Sequence, residues 1–194
     1  MPRGLRVVPE CGVFHIAIRG NNRRCVFRRD GDYIRFESLL DRYKRRLGFH
    51  LYHYVLMKNH VHLILKTKEN ADISKIMQGI SLSYHHYYRR KNRYVGHLWQ
   101  GRFKSFVIKD NHYLLAAALY VEKNPVEAGL VNDPSEYRWS SYRCYASGDS
   151  NPIVDASPIY EEMGRNAKER QLAYKELICS RIAESKNGVD RQPL

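Results

Sequence analysis

The chain of 194 residues is long enough for one ordinary domain with a tail and a real hydrophobic core. Lys and Arg total 33 against 20 Asp and Glu, a formal charge of +13, which favours a polyanionic partner, nucleic acid first, over a merely basic soluble protein. Fifteen Tyr and six Phe accompany the Arg, a pairing suited to stacking on unpaired bases.

Cys11, Cys25, Cys144 and Cys179 lie far apart with no CxxC pair, which argues against a disulfide framework or zinc ribbon and for reduced thiols. No apolar run reaches membrane-spanning length, and Met1-Pro2-Arg3-Gly4-Leu5-Arg6 leads into no leader-type apolar region. A cytoplasmic protein without membrane contact is expected. No internal repeat is present.

Cys11 to Arg19 is β-rich and reads as a first strand, ending in the basic turn Gly20-Asn21-Asn22-Arg23-Arg24. From Asp32 to Leu47, apolar residues at Ile34, Phe36, Leu39, Leu40, Tyr43 and Leu47 predict a helix closed by Gly48. Phe49–Met57 and His60–Lys66, separated by Lys58-Asn59, predict a hairpin. Asp72 is placed to cap a second helix to about Arg90, with Ile73, Ile76, Met77, Ile80 and Tyr84 on its buried stripe. Arg102 to Lys109 reads as a strand. Asn111 is expected to cap a third helix, Tyr113 to Lys123, stopped near Asn124-Pro125.

The order strand, helix, strand, strand, helix, strand is the split βαβ pattern of a ferredoxin-like (RRM-like) α+β fold with an antiparallel sheet, and the third helix is an addition to it. Beyond Val131, Arg138 to Tyr142 reads as a short turn or helix packing back. Pro152 to Pro158 reads as a linker, Gly164 to Ala183 as a charged helix, and the last ten residues as disordered.

His60-Val61-His62 is the most informative motif. In a strand the two imidazoles share one face while Val61, Leu63 and Leu65 occupy the other, which makes half of a metal site. Standing alone, a His-x-His is more often a pair of hydrogen-bonded or partly exposed histidines. Tyr120 and Asn124 lie one helical turn apart, so a hydroxyl nucleophile and an amide carbonyl share a helix face. Two His and one amide oxygen leave open positions for phosphate oxygens, the donor set of a metal-assisted tyrosine attack on a phosphodiester. A tyrosine has an ordinary pKa of about 10 and needs such activation. The only acid close to Tyr120, Glu122, points about 200° away around the helix, which disfavours a carboxylate-rich hydrolytic nuclease.

Arg19-Gly20-Asn21-Asn22-Arg23-Arg24, the segment Leu56 to Leu63, the segment Gly96 to Lys104 and the segment Tyr120 to Val131 fall in the order and spacing of the REP-associated tyrosine transposases. The chain resembles that family of HUH single-tyrosine transposases, related to bacterial insertion sequences, over roughly residues 5 to 145. The resemblance implies a catalytic domain over residues 1–145; the linker and helix read over 146–194, partly disordered, lie outside it and are assigned no role. It implies an enzyme that nicks and rejoins single-stranded DNA near palindromic hairpins, in the cytoplasm of a bacterium at the nucleoid. Tyr120 matches the nucleophile, which forms a 5′-phosphotyrosine link and leaves a free 3′-hydroxyl. His60, His62 and Asn124 match the ligands of Mg²⁺ or Mn²⁺. Lys58 stands where the family more often carries Pro, and adds a cation beside the site.

Arg19, Arg23, Arg24, Arg28 and Arg29 cluster around one loop and are candidates to track a phosphate backbone. Arg89 and Arg90 end a helix in which Tyr84 and Tyr88 interleave with cations, either as base-stacking partners or as core residues beneath a solvated face. Arg102 and Lys104 lie beside the site in the family's pattern, and Trp99 either stacks on a base or plugs the core. The alternative to the enzyme is a non-catalytic, RRM-like single-strand binding module. It is disfavoured because the expected open sheet face carries His60 and His62 and no aromatic pair. Monomer and homodimer, with Tyr120 serving its own sheet or a partner's, both fit.

Overall fold

The computed structural model describes residues 11–69 and 71–186. The first ten residues, on which the leader reading rests, lie outside it, as do residues 187–194 of the ten expected to be disordered, while residues 185 and 186 end a helix. Strand β1 (Val13–Arg19) pairs antiparallel with β3 (His60–Thr67) and β4 (Lys104–Ile108), and β2 (Phe49–Met57) pairs antiparallel with β3. The sheet order β2-β3-β1-β4 is the ferredoxin-like arrangement, with β3 inserted between β1 and β2.

Register sorts the side chains into two sets. Tyr54, Leu63 and Ile16 align across the strands, as do Leu56, Val61 and Ile18, and these share the apolar face. Val55, His62, Ala17 and Lys104 align on the opposite face, beside Met57, His60 and Arg19. A one-residue slip would exchange the two sets, so the apolar pattern that fixes the core also fixes the functional face.

Helices α1 (Asp30–Leu47) and α2 (Ile73–Asn92) cover the apolar face. All five α2 residues expected on the stripe are buried, and Asp72 accepts from the Ser74 and Lys75 amides as its cap. In α1, Phe36, Leu39, Leu40 and Tyr43 face the core, but Ile34 is 51% exposed. At 100° per residue Ile34 lies nearly opposite that arc, and Tyr33 takes the buried position instead.

Helix α3 (Asn111–Glu127) crosses the other face and departs from expectation at both ends. Its cap is Asp110, whose carboxylate accepts from the Tyr113 amide at 2.9 Å, and not Asn111. Its C-terminus runs through Pro125 instead of stopping before it. So close to the end, proline removes one helical hydrogen bond, and the Asn124 side chain donates to the Tyr120 carbonyl at 2.9 Å. The helix then closes in a Schellman motif, Leu130 N to Pro125 O and Gly129 N to Val126 O, with Gly129 at φ +65°.

The chain after α3 covers the β2 edge. Leu56 N donates to Trp139 O, and Ser141 N to Tyr54 O. Residues 152–158, expected as a linker, are pinned to the domain: Asp155 accepts from Leu51 N at 2.8 Å and pairs with Lys44 at 2.7 Å, and Ile153 is buried. Short helices α4 (Tyr142–Ala146) and α5 (Pro158–Glu161) and the long α6 (Ala167–Lys186) form a second apolar cluster around Tyr142, Tyr145, Tyr160, Tyr174 and Ile178, with Leu119 of α3. The opposite edge strand of the sheet is β4, to which no backbone hydrogen bond runs from outside the sheet among the described residues. Among the described residues no helix is long and apolar enough to cross a membrane, and all four cysteines are free.

Candidate active site

β3 presents His60 and His62 on the face crossed by α3, and α3 presents Tyr120 and Asn124 to them. The Tyr120 ring meets His62 edge-on at 5.2 Å between centroids. The side chain is 37% exposed, and no hydrogen bond holds its hydroxyl among the described residues. Asn124 Oδ1 lies 3.3 Å from His60 Nε2. The four residues singled out from the sequence therefore meet at one place, within a single chain.

The hydrogen bonds around His60 say what the place is built for. Its Nδ1 lies 2.7 Å from Asn59 Oδ1 and its Nε2 lies 3.3 Å from Asn124 Oδ1. Both amides are oriented by backbone acceptors, since Asn59 Nδ2 donates to Arg23 O and Asn124 Nδ2 to Tyr120 O. His60 thus faces an acceptor oxygen on each side, and a neutral imidazole has one N–H to give. Burial lowers the His60 pKa, with Arg19 adding to the effect and the Asn124 bond opposing it, so the ring is neutral. With Nδ1–H donated to Asn59, the Nε2 lone pair confronts the Asn124 oxygen. In that tautomer the two are adjacent lone-pair donors, a pair that would fit a cation. Neighbouring ligands of an octahedral ion bound at about 2.1 Å lie roughly 3 Å apart.

His15 is the residue that sequence reasoning missed. It lies on β1 opposite Ile64, diagonal to His62, and its Nε2 is 3.0 Å from His62 Nδ1. Its ring also meets Tyr120 edge-on at 5.7 Å. Burial pushes His15 down to about 4 and, with repulsion from His15, His60 and Arg19, pushes His62 to about 2. Both are neutral, which is the form that binds metal. When His62 donates Nδ1–H to His15, its Nε2 lone pair is left for a ligand, the usual arrangement of a metal-bound histidine. The only signal in the sequence was strand alternation, which puts His15 and Arg19 on one face of β1. Among the described residues no group of three or more His, Cys, Asp or Glu is arranged to hold a metal ion.

The basic residues separate into distinct surfaces. Arg19, Arg102 and Lys104 line a groove of about 1120 Å³ that also contains His60, His62 and Tyr120. Arg23 and Lys58 are exposed around the hairpin tip, where the loop is tied down by Gly20 N to Asn59 O and Val26 N to Lys58 O. Arg24 lies over the Tyr94 ring at 4.7 Å. Arg89 and Arg90 line a separate shallow pocket with Arg93 and Tyr94 at the end of α2, away from Tyr120.

Three aromatic candidates for base stacking belong to the core instead. Tyr84 and Tyr88 are wholly buried, their hydroxyls donating to Val26 O and Cys25 O. Trp99 is buried and donates to Ser81 O at 3.0 Å. The sheet face expected to be open is crossed by α3 and carries one exposed aromatic, Phe106, in register with His15. Glu122 does point away from the site, being wholly buried against His53, Ser141 and Tyr174.

Residues 11–124 match the family described as IS200-like transposases, and the chain belongs to that family. Comparison with curated protein sequences finds no match. Among solved structures, the chain is similar to a REP-associated tyrosine transposase bound to a REP hairpin, at a TM-score of 0.66 and 21% identity over 82% of this chain and 93% of that one. A Deinococcus radiodurans crystal structure assigned as a transposase matches at a TM-score of 0.44 and 17% identity, over 63% of this chain and 97% of the other. The first of these bears out the ferredoxin-like fold.

Proposed function

We propose that this transposase nicks and rejoins single-stranded DNA beside hairpins, with Tyr120 as nucleophile and Mg²⁺ or Mn²⁺ held by His60, His62 and Asn124. The observation that carries the reading is the approach of His60 Nε2 to Asn124 Oδ1 at 3.3 Å, one helical turn from Tyr120, whose hydroxyl makes no hydrogen bond among the described residues. Family membership supports action on DNA. The similar protein solved with a REP hairpin supports a hairpin as the partner.

When bound, the cation supplies Lewis-acid polarisation of the scissile phosphate. The chain's own residues do the rest. Tyr120 loses its proton and its oxygen bonds to phosphorus, the P–O3′ bond breaks, and a proton reaches the departing 3′-oxygen. The product is a 5′-phosphotyrosine and a free 3′-hydroxyl. A phosphotyrosine ester keeps the free energy of the broken bond, so a 3′-hydroxyl reverses the step without ATP; a water nucleophile gives only hydrolysis. Arg19, Arg102 and Lys104 hold the strand's phosphates along the groove, while Arg23, Arg24, Lys58, Arg89 and Arg90 extend the basic surface towards a hairpin. Tyr120 packs on His62 of its own chain, which supports a site complete in one protomer.

The test is incubation with Mn²⁺ and a labelled single-stranded hairpin library, followed by a denaturing gel. A DNA–protein band in wild type that is lost in Tyr120→Phe is the expected result. Cleavage that persists without an adduct in Tyr120→Phe would replace this reading with a hydrolytic nuclease. Binding without cleavage would leave a single-strand binding module.

A further inference from the structure

Along α3 the groove-lining residues are Tyr113, Ala117 and Tyr120, spaced i, i+4 and i+7, so they form one line facing the sheet. Tyr113 is 51% exposed although it projects from an ordered helix into a concave surface. Phe106 of β4 lines the same groove, 53% exposed and in register with His15, whose ring is 6.1 Å away. Ala117, small and buried, sits between the two tyrosines on the helix. The groove is therefore lined by two exposed aromatics, one from the helix and one from the edge strand β4.

Two large aromatic rings left in water inside a groove call for an occupant. Its walls identify the chemistry: Arg19, Arg102 and Lys104 line the same groove, so the occupant is anionic as well as flat. An unpaired nucleotide satisfies both demands, because its base stacks and its phosphate pairs with the cations. Seven residues of helix separate Tyr113 from Tyr120, a rise of about 10 Å. That reach suits a base one or two nucleotides from a phosphate at Tyr120.

We infer that Phe106 and Tyr113 form a stacking slot for an unpaired base flanking the scissile phosphate, and so position the strand for attack. The inference rests on the proposed function for the identity of the phosphate, and it adds two residues that neither the metal donors nor the basic surface includes.

Photo-cross-linking tests it, using a 12-mer of oligothymidylate substituted with 5-iododeoxyuridine, which couples to stacked aromatic rings. Peptide mapping is expected to find the cross-link at Phe106 or Tyr113. Fluorescence anisotropy with a labelled oligothymidylate 12-mer should show Phe106→Ala and Tyr113→Ala binding roughly five- to hundred-fold more weakly, with Phe106→Trp close to wild type. Both side chains are half exposed, so these variants should fold, and circular dichroism checks that they do. Cross-links confined to other residues, with unchanged affinity in both alanine variants, would overturn the slot. In that case a Tyr120 adduct on the hairpin library would still leave the proposed function standing, whereas failure of the adduct alone would remove the function and not the stacking. A dimer in sedimentation velocity that Phe106→Ala dissolves, and that oligothymidylate does not disrupt, would overturn the inference in favour of pairing between two copies along β4.

Discussion

His15 Nε2 and His62 Nδ1 lie 3.0 Å apart, joining residues 47 positions apart in sequence across the two central strands. When His62 donates its Nδ1–H across this contact, its Nε2 is the nitrogen left free to bind. Partners of this kind typically change metal affinity 10- to 100-fold when removed. His15→Ala is expected to raise the Mn²⁺ concentration for half-maximal adduct formation by about that factor. His15→Gln, which keeps an acceptor oxygen, should recover part of it. Isothermal titration with Mn²⁺ gives the same comparison without turnover. Equal affinity in all three proteins would reduce His15 to a packing residue.

Glu122 is wholly buried two residues from Tyr120, and one of its oxygens gathers His53 Nδ1 at 3.1 Å, Ser141 Oγ at 2.8 Å and Tyr174 Oη at 3.3 Å. It links β2, α4 and α6 to the helix that carries Tyr120. Removing one member of such a pair leaves its partner buried and unmatched, so Glu122→Ala should cost about 3–5 kcal/mol of stability. Glu122→Gln keeps an acceptor for both hydroxyls and should cost clearly less. Urea denaturation of the two variants measures the difference, and equal losses would show that packing volume, not the polar network, is what matters.

The strands and the β2–β3 hairpin were legible because β-rich runs end at turn residues, and the order of elements is that of a split βαβ fold; the register was not, since it depends on pairing between strands. His60, His62, Tyr120 and Asn124 were legible because each pair shares a short local period. His15 was not: its partner is reached only through the pairing of β1 with β3, which no local period encodes. The ends of α3 failed for a similar reason. Asp110 and Asn111 are both good caps, and only the geometry of the Tyr113 amide chooses between them. Pro125 is tolerated because it falls in the last turn, with Gly129 available to close the helix. Tyr84 and Tyr88 sit among cations in sequence, yet their buried stripe and backbone acceptors claim them for the core.

Asp32 ties the start of α1 to the end of α2. Its carboxylate accepts from the backbone N–H groups of Arg28 and Arg29 at 2.8 and 3.0 Å, from Tyr87 Oη at 2.9 Å and from Lys91 Nζ at 2.5 Å. Burial alone would raise its pKa, but Lys91, the two amides and Tyr87 outweigh that and hold it below its ordinary value of 3.8. A depressed carboxylate contributes stability that is fully present above the unfolded-state pKa and lost as pH falls through the folded one. The gap in urea midpoint between wild type and Asp32→Asn should therefore be constant from pH 7 to about 5 and narrow below the ordinary value of 3.8. A gap that does not change at pH 3.5 would show that the Asp32 charge contributes nothing.

Gly79 lies in the middle of α2, where helix propensity alone predicts that alanine stabilises by about 1 kcal/mol. Its surroundings predict the reverse. A Cβ at this position would stand 2.8 Å from Cζ of Tyr43 and 3.0 Å from its Cδ1. That ring cannot simply swing away, because the Tyr43 hydroxyl is hydrogen-bonded to Ser83 at 2.9 Å and the side chain is buried between α1 and α2. Overpacking of this kind costs about 1–3 kcal/mol, enough to outweigh the propensity gain. Gly79→Ala should thus lower stability in the wild-type background. In a Tyr43→Ala background the obstacle is gone and the same substitution should raise it. Thermal unfolding of the four proteins of this cycle reads the change of sign directly, and a stabilising Gly79→Ala in both backgrounds would show that the two helices separate freely at this crossing.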